Sequence, residues 1–271
     1  VNFGFVLPYG DAATAAELAA AAEGSGWDGF FVWEPVWGID AWVCLTAAAM
    51  RTSAIRLGTM LSPLSRMRPW KLAGEAATLD NLSGGRVILA VGLGAIDSGF
   101  AEFGEETDRR VRAELLDESL DIIDGLWTGQ PFSYDGKHYR VRLVESMPPP
   151  PPPLQQPRIP IWVVGAWNRP QSMKRALRYD GILPQVKQGE EFSEVTPDIV
   201  AAVATAAATS RGTPIDVIVE GTTGKDAAAE GNRLAALELA GATWWIEGMW
   251  DARDDLSRVR SRIGAGPPGV G

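Results

Sequence analysis

A carboxylate set between two indoles, Trp33-Glu34-Pro35-Val36-Trp37, is the first group in this sequence that could do chemistry. Glu34 could accept a proton or orient a substrate hydroxyl if it is partly desolvated, and the rings of Trp33 and Trp37 could wall a planar ligand by stacking. A second stretch, Gly165-Ala166-Trp167-Asn168-Arg169, joins an apolar run to a helical one. Free N–H groups at a helix start favour an anion, and Arg169 would add a positive charge. In a third, Val91-Gly92-Leu93-Gly94, the two glycines would let a flat ring or a phosphate approach the backbone closely. Arg66 and Arg68 could reach an acidic group nearby, and Tyr9 and Asp97 are the other candidate proton carriers. The one histidine, His138, lies in a Gly-Lys-His-Tyr turn, and the one cysteine, Cys44, in an apolar helical run. Neither makes a metal site alone, and Cys44 reads as a core thiol. No metalloprotease, Walker or serine-hydrolase signature is present.

These residues share a position relative to the elements that must hold them. Apolar strand-like runs alternate with helical patterns along the chain: Phe3–Leu7, Gly29–Trp33, Arg56–Met60, Val87–Val91, Ile159–Val164, Gly181–Pro184, Ile215–Glu220 and Thr243–Glu247, each followed by a helix. The helix over Arg109–Trp127 has the clearest 3.6-residue stripe, with Glu114, Asp117, Glu118 and Asp121 on its wet face. Eight such units predict a single (β/α)8 barrel over residues 1–271, an α/β fold, rather than a doubly wound sheet. The candidate residues all follow strand ends, where a barrel builds its active site. Between the fourth and fifth strands lies an irregular excursion. It contains a hairpin-like FSYDGKHYRV with an Asp135-Gly136 turn and a run of prolines, Pro148–Pro153.

Composition narrows the partners. At 271 residues and 46% hydrophobic content a large core is available. The formal charge of −9 argues against nucleic acid or an anionic membrane as partner. No apolar run reaches membrane-spanning length. VNFGFVLPYG reads as a strand and not as a secretory leader, so cytoplasmic residence is expected.

The stretch LDNLSGGRVILAVGLG (Leu79–Gly94), with AAELAAAAEGSGWDGFFVWE, LDESLDIIDGLWTGQPFSYDGKHYRV, QQPRIPIWVVGAW, ALRYDGILP and GATWWIEGMW, closely resembles the luciferase-like monooxygenase family over roughly residues 3 to 250. The resemblance implies a barrel enzyme that binds FMN or the deazaflavin coenzyme F420 at its C-terminal mouth, acts on a small-molecule substrate and forms a homodimer. It also implies cofactor contacts from Met60, Leu61 and Ser62, with a non-prolyl cis peptide at Met60–Leu61, and from Gly92, Gly94, Gly165, Ala166, Trp167 and Arg169. Trp33 and Trp37 would shape the substrate side, with Glu34 as the catalytic group. Two positions depart from the family. A histidine often found after the second strand is replaced by Pro35. The glutamate that sugar-phosphate dehydrogenases of the deazaflavin branch carry after the fourth strand corresponds to Ala95. The resemblance therefore implies hydride transfer or oxygen insertion without naming the substrate. Two other readings stay open: a non-catalytic flavin-binding barrel, and a flavin-free barrel enzyme that uses the anion site for a phosphorylated metabolite. Lys71, Lys174 and Lys225 lie off the strands, which counts against an aldolase.

Overall fold

The computed structural model describes residues 1–142, 149–167, 169–188, 191–211, 214–252 and 255–269. Eight parallel strands pair in chain order: β1 (Asn2–Leu7), β2 (Gly29–Val32), β3 (Arg56–Pro63), β4 (Val87–Gly92), β5 (Ile161–Ala166), β6 (Gly181–Gln188), β7 (Asp216–Gly221) and β8 (Trp244–Gly248). Pairing of β8 with β1 closes the barrel. Helices α1 (Ala12–Gly24), α2 (Ala41–Ala49), α3 (Pro69–Ser83), α4 (Arg109–Trp127), α5 (Pro170–Ala176), α6 (Pro197–Arg211), α7 (Ala227–Ala240) and α8 (Leu256–Gly264) follow the strands in turn. Asp11, Asp40, Asp108, Asp226 and Asp255 each cap a helix through backbone N–H groups of its first turn.

Alternation along the strands divides the core in two. Phe30, Val32 and Leu57 face the helices and join the larger outer cluster. Phe31, Met60, Ile88, Trp162, Ile218 and Ile246 face the axis and fill the barrel. Trp162 stacks on Phe31 at 5.5 Å and meets Trp244 edge-on at 5.2 Å, so the interior is packed and no channel runs through it. Cys44 is in the outer cluster, and burial pushes its thiol up to about 11.

The N-terminal face is laced with polar struts. Arg86 donates to the carbonyls of Ser83, Ala49, Thr52 and Ile55 and to the Thr52 hydroxyl, tying the end of α3 to the loop before β3. Buried Asp80 accepts from the backbone and side-chain N–H groups of Gln155, anchoring the excursion. Towards the other end of the barrel, Glu247 in β8 is fully buried and accepts from Thr223, Trp245 and Arg262. The most family-like wording, LDNLSGGR and GATWWIE, thus works largely as scaffold.

Three local expectations are corrected. Asp135 lies in a strand, not in a two-residue turn. It pairs with Arg140, so the hairpin loop runs over residues 136–139. The reason is Glu118, whose carboxylate accepts from the N–H groups of Lys137, His138 and Tyr139 and spreads the loop over α4. The third strand runs on to Pro63, past the expected end at Met60, with a register shift between Thr59 and Ser62. The sixth runs on to Gln188 and pairs antiparallel with Glu191–Ser193. Of the proline run, Pro148 lies outside the described residues.

Candidate active site at the barrel mouth

The C-terminal ends of the strands make one layer above the packed interior. Trp33, Leu61 and Val164 lie half-buried on the axis-facing cluster. Gly92 of β4 stands between Leu61 and Val164: a Cβ there would meet Leu61 at 3.0 Å and Val164 at 3.2 Å. Its missing side chain lets the two apolar groups close up across β4. The result is a dry floor on the β3–β5 side of the mouth. Met60 is buried beneath it, and the Met60–Leu61 peptide is cis, as the resemblance implied.

Gly94 adopts φ +79°, and a Cβ there would strike Phe100 and Pro63 at 2.8 Å. The space both glycines leave is taken by the protein's own side chains, so their role here is to shape the floor. Arg112 of α4 supports the turn from outside by donating to the Leu93 carbonyl at 2.8 Å while lying over the Phe100 ring.

Glu34 occupies a different compartment from the floor. Ser62 Oγ lies 2.5 Å from Glu34 Oε2 and 3.0 Å from Thr59 Oγ1, and Thr59 donates to the Ala90 carbonyl. Alternation along β3 puts Thr59 on the helix-facing side, so the carboxyl is bonded into the barrel wall. It is only 9% exposed. Burial raises its pKa to about 7 against the opposing pull of the Ser62 hydroxyl and Arg66. Arg66 itself donates to the Pro35 carbonyl at 2.8 Å, while its Nη1 is buried without a partner. Arg68 is exposed over the Trp70 ring.

The stretch after β5 behaves differently from the expectation. The N–H of Ala166 is spent on Ser172 Oγ, that of Trp167 on the Gln185 carbonyl and that of Arg169 on the Ala166 carbonyl. These three N–H groups are therefore not free for an anion. Arg169 borders a cavity of about 200 Å³ with Arg109, Leu93 and Ser172, and neither Arg109 nor Arg169 forms an ion pair among the described residues. Gly165 is closed in by Ile182 and Met173. Asn168 lies outside the described residues.

Around the rim, Trp37 is 81% exposed and stacks on Phe103 at 6.4 Å. Trp33 meets Trp250 edge-to-face at 5.8 Å, and the Trp250 indole N–H donates to Glu220 Oε1 at 2.6 Å. Glu220 and Trp250 escaped the sequence reading, although a charged residue ending an apolar barrel strand, Ile215–Glu220, was the signal for the first. Arg109 and Arg112 were hidden in a helix and Val164 in a strand. His138 sits on the hairpin, 3.0 Å from Glu114 and away from the mouth loops. A larger cavity, about 550 Å³, opens at the opposite, N-terminal face beside Asn2, Asp28, Arg56 and Asp216. There Asp28 and Asp216 are spent on joining strands, and the face lacks the strand-end loops on which barrel chemistry is built. No group of three or more metal-ligating side chains is assembled among the described residues, and no helix is long and apolar enough to cross a membrane.

The family model of luciferase-like monooxygenases matches residues 2–264. The chain belongs to that family. A curated relative, the F420-dependent glucose-6-phosphate dehydrogenase of Amycolatopsis mediterranei, is 31% identical over 193 residues, which is 64% of this chain and 56% of the relative. The matched stretch spans about half or less of several other curated relatives, 36% of one and 46% of another. Two solved family structures share the barrel. One is the oxygenating constituent of 3,6-diketocamphane monooxygenase from Pseudomonas putida, in complex with FMN (TM-score 0.75, 17% identity, 97% of this chain and 96% of that one). The other is the coenzyme F420-dependent tetrahydromethanopterin reductase of Methanopyrus kandleri (TM-score 0.72, 18% identity, 91% and 92%). Within this family the fold is common to proteins named for different cofactors and reactions, so the chemistry of this member must be argued from its own mouth.

Proposed function

We propose that this protein is an oxidoreductase that binds coenzyme F420 or FMN at the barrel mouth and acts on a small organic substrate by hydride transfer or oxygen insertion. The carrying observation is the dry floor of Leu61 and Val164, an apolar shelf of the kind a flat tricyclic ring needs. Two further features fit such a cofactor: the unpartnered Arg66 Nη1 near the rim, and Arg109 and Arg169, which form no ion pair among the described residues and border one cavity. The bound ring would supply the redox chemistry, and the protein supplies binding, orientation and exclusion of water. Met60, Leu61, Ser62 and Gly92 support the ring, Gly94 holds the turn beside it, and Gly165, Ala166, Trp167 and Arg169 the tail. Trp33 and Trp37 bound the substrate, and Glu34 holds a proton at Oε2 beside Ser62.

Sugar-phosphate oxidation, the activity named for the Amycolatopsis relative, is not part of the proposal, because Pro35 and Ala95 stand at the positions of the family's histidine and glutamate. The same reading includes cytoplasmic residence and a homodimer. Support for the dimer comes from exposed apolar side chains on neighbouring helices: Val43 on α2, Met50 just past its end, and Trp70 and Leu82 on α3.

Titration of the purified protein with FMN, and separately with F420, followed by fluorescence and absorbance, tests the proposal. Micromolar or tighter binding of one of them is the expected result. Binding of neither would overturn it and favour a flavin-free barrel that uses Arg109 and Arg169 for a phosphorylated metabolite.

A further inference from the structure

Glu220 is the acid that faces the barrel axis. In β7 it alternates with Ile218, and its cross-strand partner on β8 is Ile246; both neighbours belong to the interior cluster. Glu220 therefore continues the axis-facing series one layer higher, at the level of the floor, whereas Glu34 is bonded into the wall. Counting round the closed barrel, β7 is four strands from β3, so Glu220 stands across the mouth from Leu61.

The surroundings of Glu220 are specific. Among the described residues its only side-chain partner is the Trp250 indole N–H at 2.6 Å. No Lys or Arg pairs with it among the described residues. Trp33 packs at 82° to Trp250, so two indoles make a right-angled corner next to one carboxyl. Gly248 leaves this corner its room: a Cβ there would lie 2.9 Å from Trp250 Nε1 and 3.0 Å from Glu220 Oε1. Glu220 is an exposed residue, and desolvation by the surrounding protein raises its pKa against the pull of the Trp250 N–H.

A carboxylate that pairs with no cation among the described residues, bonded to one indole that packs at right angles on a second, has the composition of a receptor for an organic cation. The indole faces attract positive charge, and more strongly where water is excluded. The carboxylate adds a charge-assisted hydrogen bond to any N–H the cation carries. A neutral or anionic ligand offers this carboxylate no charge to pair with.

We propose that Glu220, Trp250 and Trp33 form the substrate-recognition corner of the mouth and select a small organic molecule carrying a protonated amine. The inference rests on the flavoenzyme reading only in calling that molecule the substrate. In it, the amine docks at Glu220 and the carbon next to it is presented towards the Leu61–Val164 floor.

The test uses the full chain and benzylammonium as the probe, with benzyl alcohol as its neutral counterpart, both measured by calorimetry. The intact protein should bind the ammonium at least about tenfold more tightly than the alcohol. Glu220→Gln, nearly isosteric, should bring the two within about twofold of each other while leaving FMN or F420 affinity unchanged. Trp250→Leu, at a residue 39% exposed and so mild for folding, should weaken the ammonium several-fold and the alcohol less. Equal affinity for the two probes in the intact protein, or a preference that survives Glu220→Gln, would overturn the proposal. The flavoenzyme reading stands or falls separately. Ammonium selectivity without binding of either cofactor sinks that reading and leaves the corner, and cofactor binding without selectivity does the reverse.

Discussion

Ser62 Oγ, 2.5 Å from Glu34 Oε2, is the second link in a chain of hydrogen bonds that has only one consistent proton count. The Ala90 carbonyl can only accept, so Thr59 must donate to it. That uses the one Thr59 hydroxyl proton, so Ser62 must donate to Thr59. Ser62 then has none left for Glu34, and all three bonds are made together only when Glu34 is protonated. Ionisation forces Ser62 to turn its proton to the carboxylate and strands a lone pair further along. Burial favours the neutral acid against the pull of Ser62 and Arg66 on the carboxylate, and the chain is fully bonded only in the neutral form.

The sign of the resulting pH effect is fixed. A carboxyl raised from 4.5 to about 7 binds its proton longer in the native state than in the unfolded chain. Its favourable contribution is complete below about pH 4.5 and fades as pH rises through 7, by about 3 kcal/mol in all. Glu34→Gln keeps the shape, and its amide can donate to Ser62 as the protonated acid does. Urea denaturation at pH 5 and pH 8 should show the variant gaining on the parent by up to about 3 kcal/mol at the higher pH. A difference independent of pH would show that Glu34 is already ionised in the native protein.

Arg86 serves four backbone carbonyls with one planar fork, a geometry that lysine cannot copy. Arg86→Lys should therefore cost about 3 kcal/mol in denaturation experiments although the charge is kept, because buried carbonyls lose their donors. A loss within about 0.5 kcal/mol, the range of ordinary surface changes, would deny the strut its role.

Glu118 should control the hairpin without touching the mouth. Its carboxylate takes three consecutive N–H groups from residues 137–139. Glu118→Ala should raise amide hydrogen exchange there by about tenfold or more and leave cofactor affinity unchanged. Unaltered exchange at these amides would mean that the pairing of Asp135 with Arg140 holds the loop alone.

Arg169 and Arg109 flank one cavity, so their loss should be felt in the cofactor tail. Arg169→Ala should weaken FMN or F420 binding by roughly 1–3 kcal/mol, with Arg109→Ala following in the same direction. Because both guanidinium groups lack ion pairs among the described residues, neither change should lower the melting temperature by more than a degree or two. Unchanged affinity in both variants would move the tail elsewhere.

The barrel was readable because its signals are local and repeated. Aspartate caps, apolar strand runs and the stripe of α4 place eight units within a few residues of where they fold. The site was readable only in part. Trp33 and Arg169 reach the mouth because they follow strand ends, and Leu61 because it lies in the C-terminal part of β3. The N–H groups of Ala166, Trp167 and Arg169 are consumed by Ser172, Gln185 and Ala166, contacts that no local pattern announces. Glu34 and Glu220 look alike in the sequence, each closing an apolar run. Which one faces the axis depends on the strand alternation and barrel closure that separate the wall from the interior.

The floor and the corner lie on opposite sides of the mouth, one without charge and the other with a single carboxyl. Such a layer has no mirror plane. A flat ring resting on Leu61 and Val164 would offer the two faces of a prochiral substrate unequally, since only one orientation brings a polar group to Glu220. Handedness in the product would then come from a difference between strands β3 and β7, with no dedicated chiral contact at the reacting carbon.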